Sequence, residues 1–119
     1  MSNIILVNVT RETIMGPVEF AETFFSRFQG LMFKKKINSG LVLKIPAGRG
    51  KRGSAIHMFF MRIPLDVLFV NENKQVVDMV SLDPWTTYTP RESARYVIEL
   101  KKGIIKRSST DIGDIIDFK

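Results

Sequence analysis

The 119-residue chain contains no cysteine, which excludes disulfides, zinc–thiolate sites, iron–sulfur clusters and cysteine nucleophiles together. It has one histidine, so a zinc site would have to be completed by carboxylates alone. Long uncharged apolar runs are missing: Asp66 interrupts the most apolar stretch, and no membrane span is expected. The first residues lack a basic segment and a small-residue cleavage site, which argues against a signal peptide. With the absence of cysteine, this gives a cytoplasmic location as the expectation. Repeats, low-complexity stretches and linkers rich in proline or serine are absent too, so residues 1–119 are expected to form a single domain.

What the chain does have is ordinary globular composition, with 45% hydrophobic and 25% charged residues. A net charge of +6 and a pI near 9.8 favour anionic partners without naming one.

Glycine and proline fall between short apolar runs, the spacing of a β-rich domain. Residues 4–9 read as a strand, followed by a turn around Met15-Gly16 and a second strand over 17–21. Thr23 suits a helix N-cap, and Phe24, Phe28, Leu31 and Met32 recur at helical spacing, predicting one short helix over about 24–30. Residues 41–45 read as a strand, and 55–61 as a fully buried one. Residues 67–70 and 76–80 flank the hairpin turn Asn71-Glu72-Asn73-Lys74. Further strands are expected over 96–100 and 115–118, with a helical turn near 104–106. The fold class is α+β, mainly β: a compact curled antiparallel sheet or partly closed barrel, which limits exposed strand edges.

The segment Gly48-Arg49-Gly50-Lys51-Arg52-Gly53 matches GxGxxG in letters. A dinucleotide site needs a helix after the glycines to receive the pyrophosphate, and a strand-like segment follows instead. The motif reduces to a basic loop, and no cofactor is implied. That loop belongs to a tract of seven basic and no acidic residues: Lys34, Lys35, Lys36, Lys44, Arg49, Lys51 and Arg52. Lys101, Lys102, Lys106 and Arg107 form a second group. Either could neutralise nucleic-acid phosphates. The aromatics, however, cluster at core-like positions, and a solvated basic face is the commoner use of such a tract.

His57 lies in the apolar run Ala55-Ile56-His57-Met58-Phe59-Phe60-Met61. It could act as a general acid or base with Asp66 as its orienter, or join Ser54 and Asp66 in a hydrolytic triad. A buried imidazole satisfied by a hydrogen bond is the more ordinary state. Arg27, Arg62, Asp66, Arg95, Glu99 and Asp114 are charges set against apolar runs, which mark either a fold-specifying network or a site. Trp85, the lone tryptophan, falls in a loop where it either lines a pocket or lids a barrel mouth.

The pattern Arg27-x-x-Gly30-Leu31-Met32-Phe33, the block from Ile56 through Phe69, Pro84-Trp85, the run Arg95 to Leu100, Gly103 and Gly113-Asp114 occur in order. Together they resemble domain-of-unknown-function family 192, also called uncharacterised protein family 0127, over about residues 18–118. The form with His57 and Phe60 is similar to short archaeal members. The resemblance implies a compact β-rich domain with a short helix and carries no established activity, so it assigns no catalytic residue. Its matched positions are Arg27, Gly30, His57, Arg62, Pro64, Asp66, Trp85, Glu99, Gly113 and Asp114. The family often has a basic residue where this chain has Thr86; if that residue helps hold a ligand, this chain would have to use another, such as Arg91 or Arg95.

Three functions are open at this stage. The first is non-enzymatic binding of a small anionic ligand or a protein partner at a polar cluster of Arg27, His57, Arg62, Asp66, Trp85 and Arg95. The second is RNA or DNA binding through Lys34, Lys35, Lys36, Arg49, Lys51 and Arg52. The third is an enzyme that uses His57. No metal site is expected.

Overall fold

The computed structural model describes residues 4–21 and 37–119. The helix expected over 24–30, with Arg27 and Lys34, Lys35 and Lys36, lies outside the described residues.

Nine strands and one short helix are described: β1 (Ile4–Asn8), β2 (Thr13–Ala21), β3 (Gly40–Lys44), β4 (Ile56–His57), β5 (Leu65–Val70), β6 (Val76–Leu82), β7 (Thr87–Tyr88), β8 (Tyr96–Lys101), α1 (Ile104–Ser108) and β9 (Ile116–Phe118). Seven strands form one sheet in the order β6-β5-β8-β3-β2-β1-β9, while β4 and β7 make a separate ribbon. All pairs are antiparallel except β2 with β3, which run parallel from Val18 opposite Gly40 to Ala21 opposite Leu43.

The β5–β6 hairpin turns where expected. The Asn71 side chain accepts from the Asn73 and Gln75 N–H groups, each near 3 Å, and Lys74 takes the left-handed conformation with φ 61°. The start of the chain differs from the sequence reading. The first turn lies at residues 9–12, and Met15-Gly16 sits inside β2, where Met15 is an extra residue between the pairs Leu6–Gly16 and Val7–Ile14. Gly16 absorbs this bulge at φ 125°, so the glycine that suggested a turn relieves a strand irregularity instead.

Residues 55–61 are likewise not one buried strand. Only Ile56–His57 is extended. A turn closed by the Met61 N–H on the Met58 carbonyl (3.2 Å) then sends Met58 and Met61 inward and Phe59 and Phe60 outward. A short apolar run has the same appearance in either case.

The sheet curls until its ends meet. Gln75 bridges Ile115, Val76 N–H donates to the Asp114 carbonyl (2.9 Å), Gly113 N–H to the Val76 carbonyl (2.8 Å) and Ile116 N–H to the Lys74 carbonyl (2.9 Å). The result is a partly closed barrel. Leu6, Met15, Val18, Val42, Leu68, Val70, Val76, Ile98, Leu100 and Ile116 form the cluster shared by strands from both sheet ends, which marks it as the interior. On the outer face, Leu41, Leu65, Val67, Phe69 and Val97 are covered by Ile56, Met58 and Met61 from the β4 region. The central strand β5 is therefore buried at all six residues, which is why it reads as a continuous apolar run. Among the described residues, no helix is long and apolar enough to cross a membrane.

The closing segment is held by a buried polar network. Asp114 Oδ2 accepts from Asn8 Nδ2 (3.0 Å), Arg11 Nε (3.0 Å) and the Asp111 N–H (2.9 Å), while Asn8 also donates to Thr110 Oγ1 (2.9 Å). Burial pushes the Asp114 carboxyl up, but these hydrogen bonds and the charge of Arg11 outweigh it and hold the group below the usual carboxylate range. The stabilisation is thus complete above the ordinary carboxylate pKa of about 4 and is lost as pH falls below it. Urea midpoints of the wild type should drop through that acid range. Asp114→Asn should be less stable at neutral pH and lose less on acidification; parallel acid limbs for the two proteins would refute this role.

Candidate functional site

Among the described residues, those expected to form one polar cluster are distributed over both faces of the sheet. Asp66 alternates with the outward-facing Leu65 and Val67, so its side chain points to the barrel interior, where it is 2% exposed. There it accepts from Ser81 Oγ (2.6 Å) and from the Gly103 and Ile105 N–H groups (3.0 Å each), satisfying donors at the start of α1. His57 belongs to the ribbon on the outer face, with Ile56 and Met58 beside it in the chain. Asp66 therefore does not serve as its orienter. Ser54 is buried with Oγ donated to the Lys51 carbonyl (3.1 Å), so the hydrolytic triad is not assembled either.

Arg95 lies at the opposite end of β8 from Leu100, the partner of Asp66. Its Nε donates to the Ile45 carbonyl (3.0 Å), and Nη1 is 3.6 Å from Glu72. Arg91, the other candidate to replace a basic residue at Thr86, is exposed with its Nε 4.0 Å from Asp78. The basic loop is wound into a 3-10 turn, Lys51–Ser54, by Gly53 N–H on the Gly50 carbonyl (3.2 Å), leaving Arg49, Lys51 and Arg52 exposed. Among the described residues no group of three or more His, Cys, Asp or Glu side chains is placed to hold a metal ion.

What the structure does gather is a group of rings. Trp85 N–H donates to the Met58 carbonyl (2.8 Å), and Met58 N–H donates to the Thr86 carbonyl (2.7 Å). These bonds lock the Pro84-Trp85 turn against the 58–61 turn. Phe60 stands edge-on to Trp85 at 5.0 Å, Phe59 is 6.1 Å from Trp85, and His57 stacks on Phe59 at 4.9 Å. Phe59 N–H also donates to His57 Nδ1 (3.3 Å), so that nitrogen acts as an acceptor. Phe59, Phe60 and Trp85 are 41%, 45% and 60% exposed. Phe60 (φ 64°) and Trp85 (φ 67°) both hold left-handed backbone, which is strained for bulky side chains. Arg62, exposed, leaves the same turn. Of the expected cluster, His57 and Trp85 thus come together, with Arg62 one residue past the turn. Phe59 and Phe60 were missed because their apolar run resembled core.

A buried carboxylate anchors the platform. Asp78 on β6, 1% exposed, accepts from the Tyr88 hydroxyl (2.7 Å) and the Arg91 N–H (3.0 Å). It thereby ties down β7, which pairs with β4 from Ile56–Tyr88 to His57–Thr87. The hydrogen bond to Asp78, with burial and the Asp78 charge, raises the Tyr88 phenol above its ordinary range. Tyr88→Phe leaves a buried carboxylate short of one donor. It should destabilise the protein by about 1–3 kcal/mol in urea denaturation and move the emission of Trp85, the sole tryptophan. Unchanged stability and emission would remove Asp78 from this role.

Comparison with known proteins places this geometry. Residues 6–118 match the family DUF192, described as Uncharacterized ACR. A UPF0127 protein of Thermococcus sibiricus is 39% identical over 115 residues, spanning 96% of this chain and 74% of the relative. One from Pyrococcus furiosus is 39% identical over 114 residues, spanning 95% and 97%. A crystal structure from Sinorhizobium meliloti, of a protein described provisionally as a transcription regulator, superposes with TM-score 0.80 at 24% identity, covering 97% of this chain and 91% of that one. A protein of unknown function from Novosphingobium aromaticivorans superposes with TM-score 0.78 at 20% identity, over 96% and 82%. At such identity the two structures speak to fold alone. The chain belongs to the DUF192 family of uncharacterised UPF0127 proteins.

Proposed function

We propose that the protein is a non-enzymatic binding domain that docks an acidic segment of a protein partner on the ring platform of His57, Phe59, Phe60 and Trp85. The observation that carries this reading is the pair Phe60 and Trp85, both held at positive φ with their rings in solvent. Bulky residues adopt that backbone only where the surroundings over-determine it, and such strain concentrates at binding sites. Exposed aromatics with an adjoining arginine have the composition of an interface anchor. Charge selects the partner's sign: Arg49, Lys51, Arg52 and Arg62 are exposed on the stretch around β4, and the Trp85 loop carries Asp83 as its acidic residue. We place this recognition in the cytoplasm, consistent with a cysteine-free chain.

A second reading, binding of single-stranded RNA or DNA, is favoured by the same solvent-facing rings near a basic turn in the chain. The mutual packing of the rings weighs against it. Phe60 and Trp85 meet edge to face at 5.0 Å, which covers ring surface that stacked bases would use.

Trp85 reports on either partner. Titration with a twelve-residue peptide alternating acidic and large apolar residues should shift its emission to the blue and saturate. Phe60→Ala and Arg62→Glu should each weaken binding by about tenfold or more. A shift produced by a uridine dodecamer, absent with peptide and lost steeply with salt, would establish the nucleic-acid reading instead. No saturable change with either probe overturns the platform as a recognition surface.

A further inference from the structure

A cleft of about 290 Å³ opens on the other side of the sheet, where β2, residues 37–40, the end of β8 and α1 meet. Leu100 and Ile104 supply its apolar wall; Asn38, Ser39, Lys101 and Arg107 supply its polar one, and none of the described residues lining it is acidic. Arg107 is partly fixed, since Nη2 donates to the Met15 carbonyl at 3.1 Å. A guanidinium has five donors in a planar fork, and this bond engages one of them. Gly16 keeps the β2 wall open, with nothing within 4 Å of where a Cβ would stand. Gly40 lets β3 close on Leu100, whose Cδ2 would lie 2.6 Å from an added Cβ.

The acid nearest to α1 by hydrogen bonding is Asp66, and it is no competitor for these cations. It is 2% exposed, with its oxygens taken by Ser81, Gly103 and Ile105. The same bonds occupy backbone donors at the start of α1, so the positive character of the cleft comes from Lys101 and Arg107.

We infer that this cleft is a binding site for a small organic anion of the phosphate-monoester class. Two cations of different geometry suit a compact dianion. The hydroxyl of Ser39 and the amide of Asn38 add neutral donors, and the apolar wall accommodates a short carbon body. The volume stands at the lower limit of small-molecule sites, which excludes a dinucleotide. The inference is independent of the ring platform, because α1 packs Ile104 and Ile105 against the interior cluster while β4 and β7 cover the outer face.

The test is a thermal-shift and calorimetric titration of the full chain with inorganic phosphate and glycerol 3-phosphate, against sodium chloride at matched ionic strength. Saturable stabilisation by the phosphates beyond that of chloride is expected, with the ester binding more tightly than the free ion. Lys101→Glu, at an exposed position, should keep the melting temperature of the free protein and weaken binding by about tenfold or more. Asn38→Asp, also exposed, puts a negative charge on the opposite rim and should act the same way if Lys101→Glu proves unstable. Phe60→Ala should bind phosphate like the wild type, so failure of this site and failure of the platform are separable. Phosphate effects equal to those of chloride, or unaltered binding by both charge variants, would overturn the inference.

Discussion

Closure of the curled sheet is the constraint on which the remaining structure depends. Two short stretches, 74–76 and 113–116, meet edge to edge and exchange backbone hydrogen bonds. Until they do, Leu6, Val76 and Ile116 have no common interior to fill. Closure also covers part of two sheet edges, an exposure that open β-sheets must otherwise blunt. The Asp114 network makes the join specific: Asn8 and Arg11 come from the β1–β2 corner and Asp111 from beyond α1, and all three donate to one carboxylate, while Thr110 accepts from Asn8.

Three buried aspartates divide the labour of holding irregular backbone. Asp114 organises the closing segment, Asp66 the start of α1, and Asp78 the loop behind β7. Each accepts from at least one backbone N–H that the sheet ladder does not satisfy, and a buried ion is tolerable only when so surrounded. The barrel thereby presents two unlike surfaces. One is a strained aromatic turn pinned through Asp78, and the other a cationic cleft beside a helix pinned through Asp66.

Much of the barrel could be read from the chain because its signals are local. The Asn71–Lys74 turn and the largely buried strands β5 and β8 each follow from a few neighbouring residues. The misreadings have one physical source. Gly16 and the run Met58 to Met61 are places where a single positive φ, or one 3.2 Å hydrogen bond, redirects the chain without changing its composition. Asp66 and Arg95 lie apart from the other expected residues for a different reason. Asp66 and Arg95 belong to opposite ends of paired strands, and strand order is set by pairings that no local pattern encodes. His57 and Trp85, both singled out from the sequence, lie on one aromatic surface. Phe59 and Phe60, their neighbours on the platform, carried no mark that distinguished them from core.

The bonds that close the barrel also set an order of events. Asn8 reaches Asp114 across 106 positions and Thr110 across 102, among the longest separations the chain contains. Contacts of that range form late, because the entropy of joining distant segments must be met before any bond rewards it. During synthesis, β1 and β2 leave the ribosome long before residues 113–116 exist to receive them. For that interval Leu6 and Val18 can pair and pack only with what has already emerged, so the nascent chain carries an open, adhesive sheet edge. That exposure ends only when residues 113–116 emerge and complete the join.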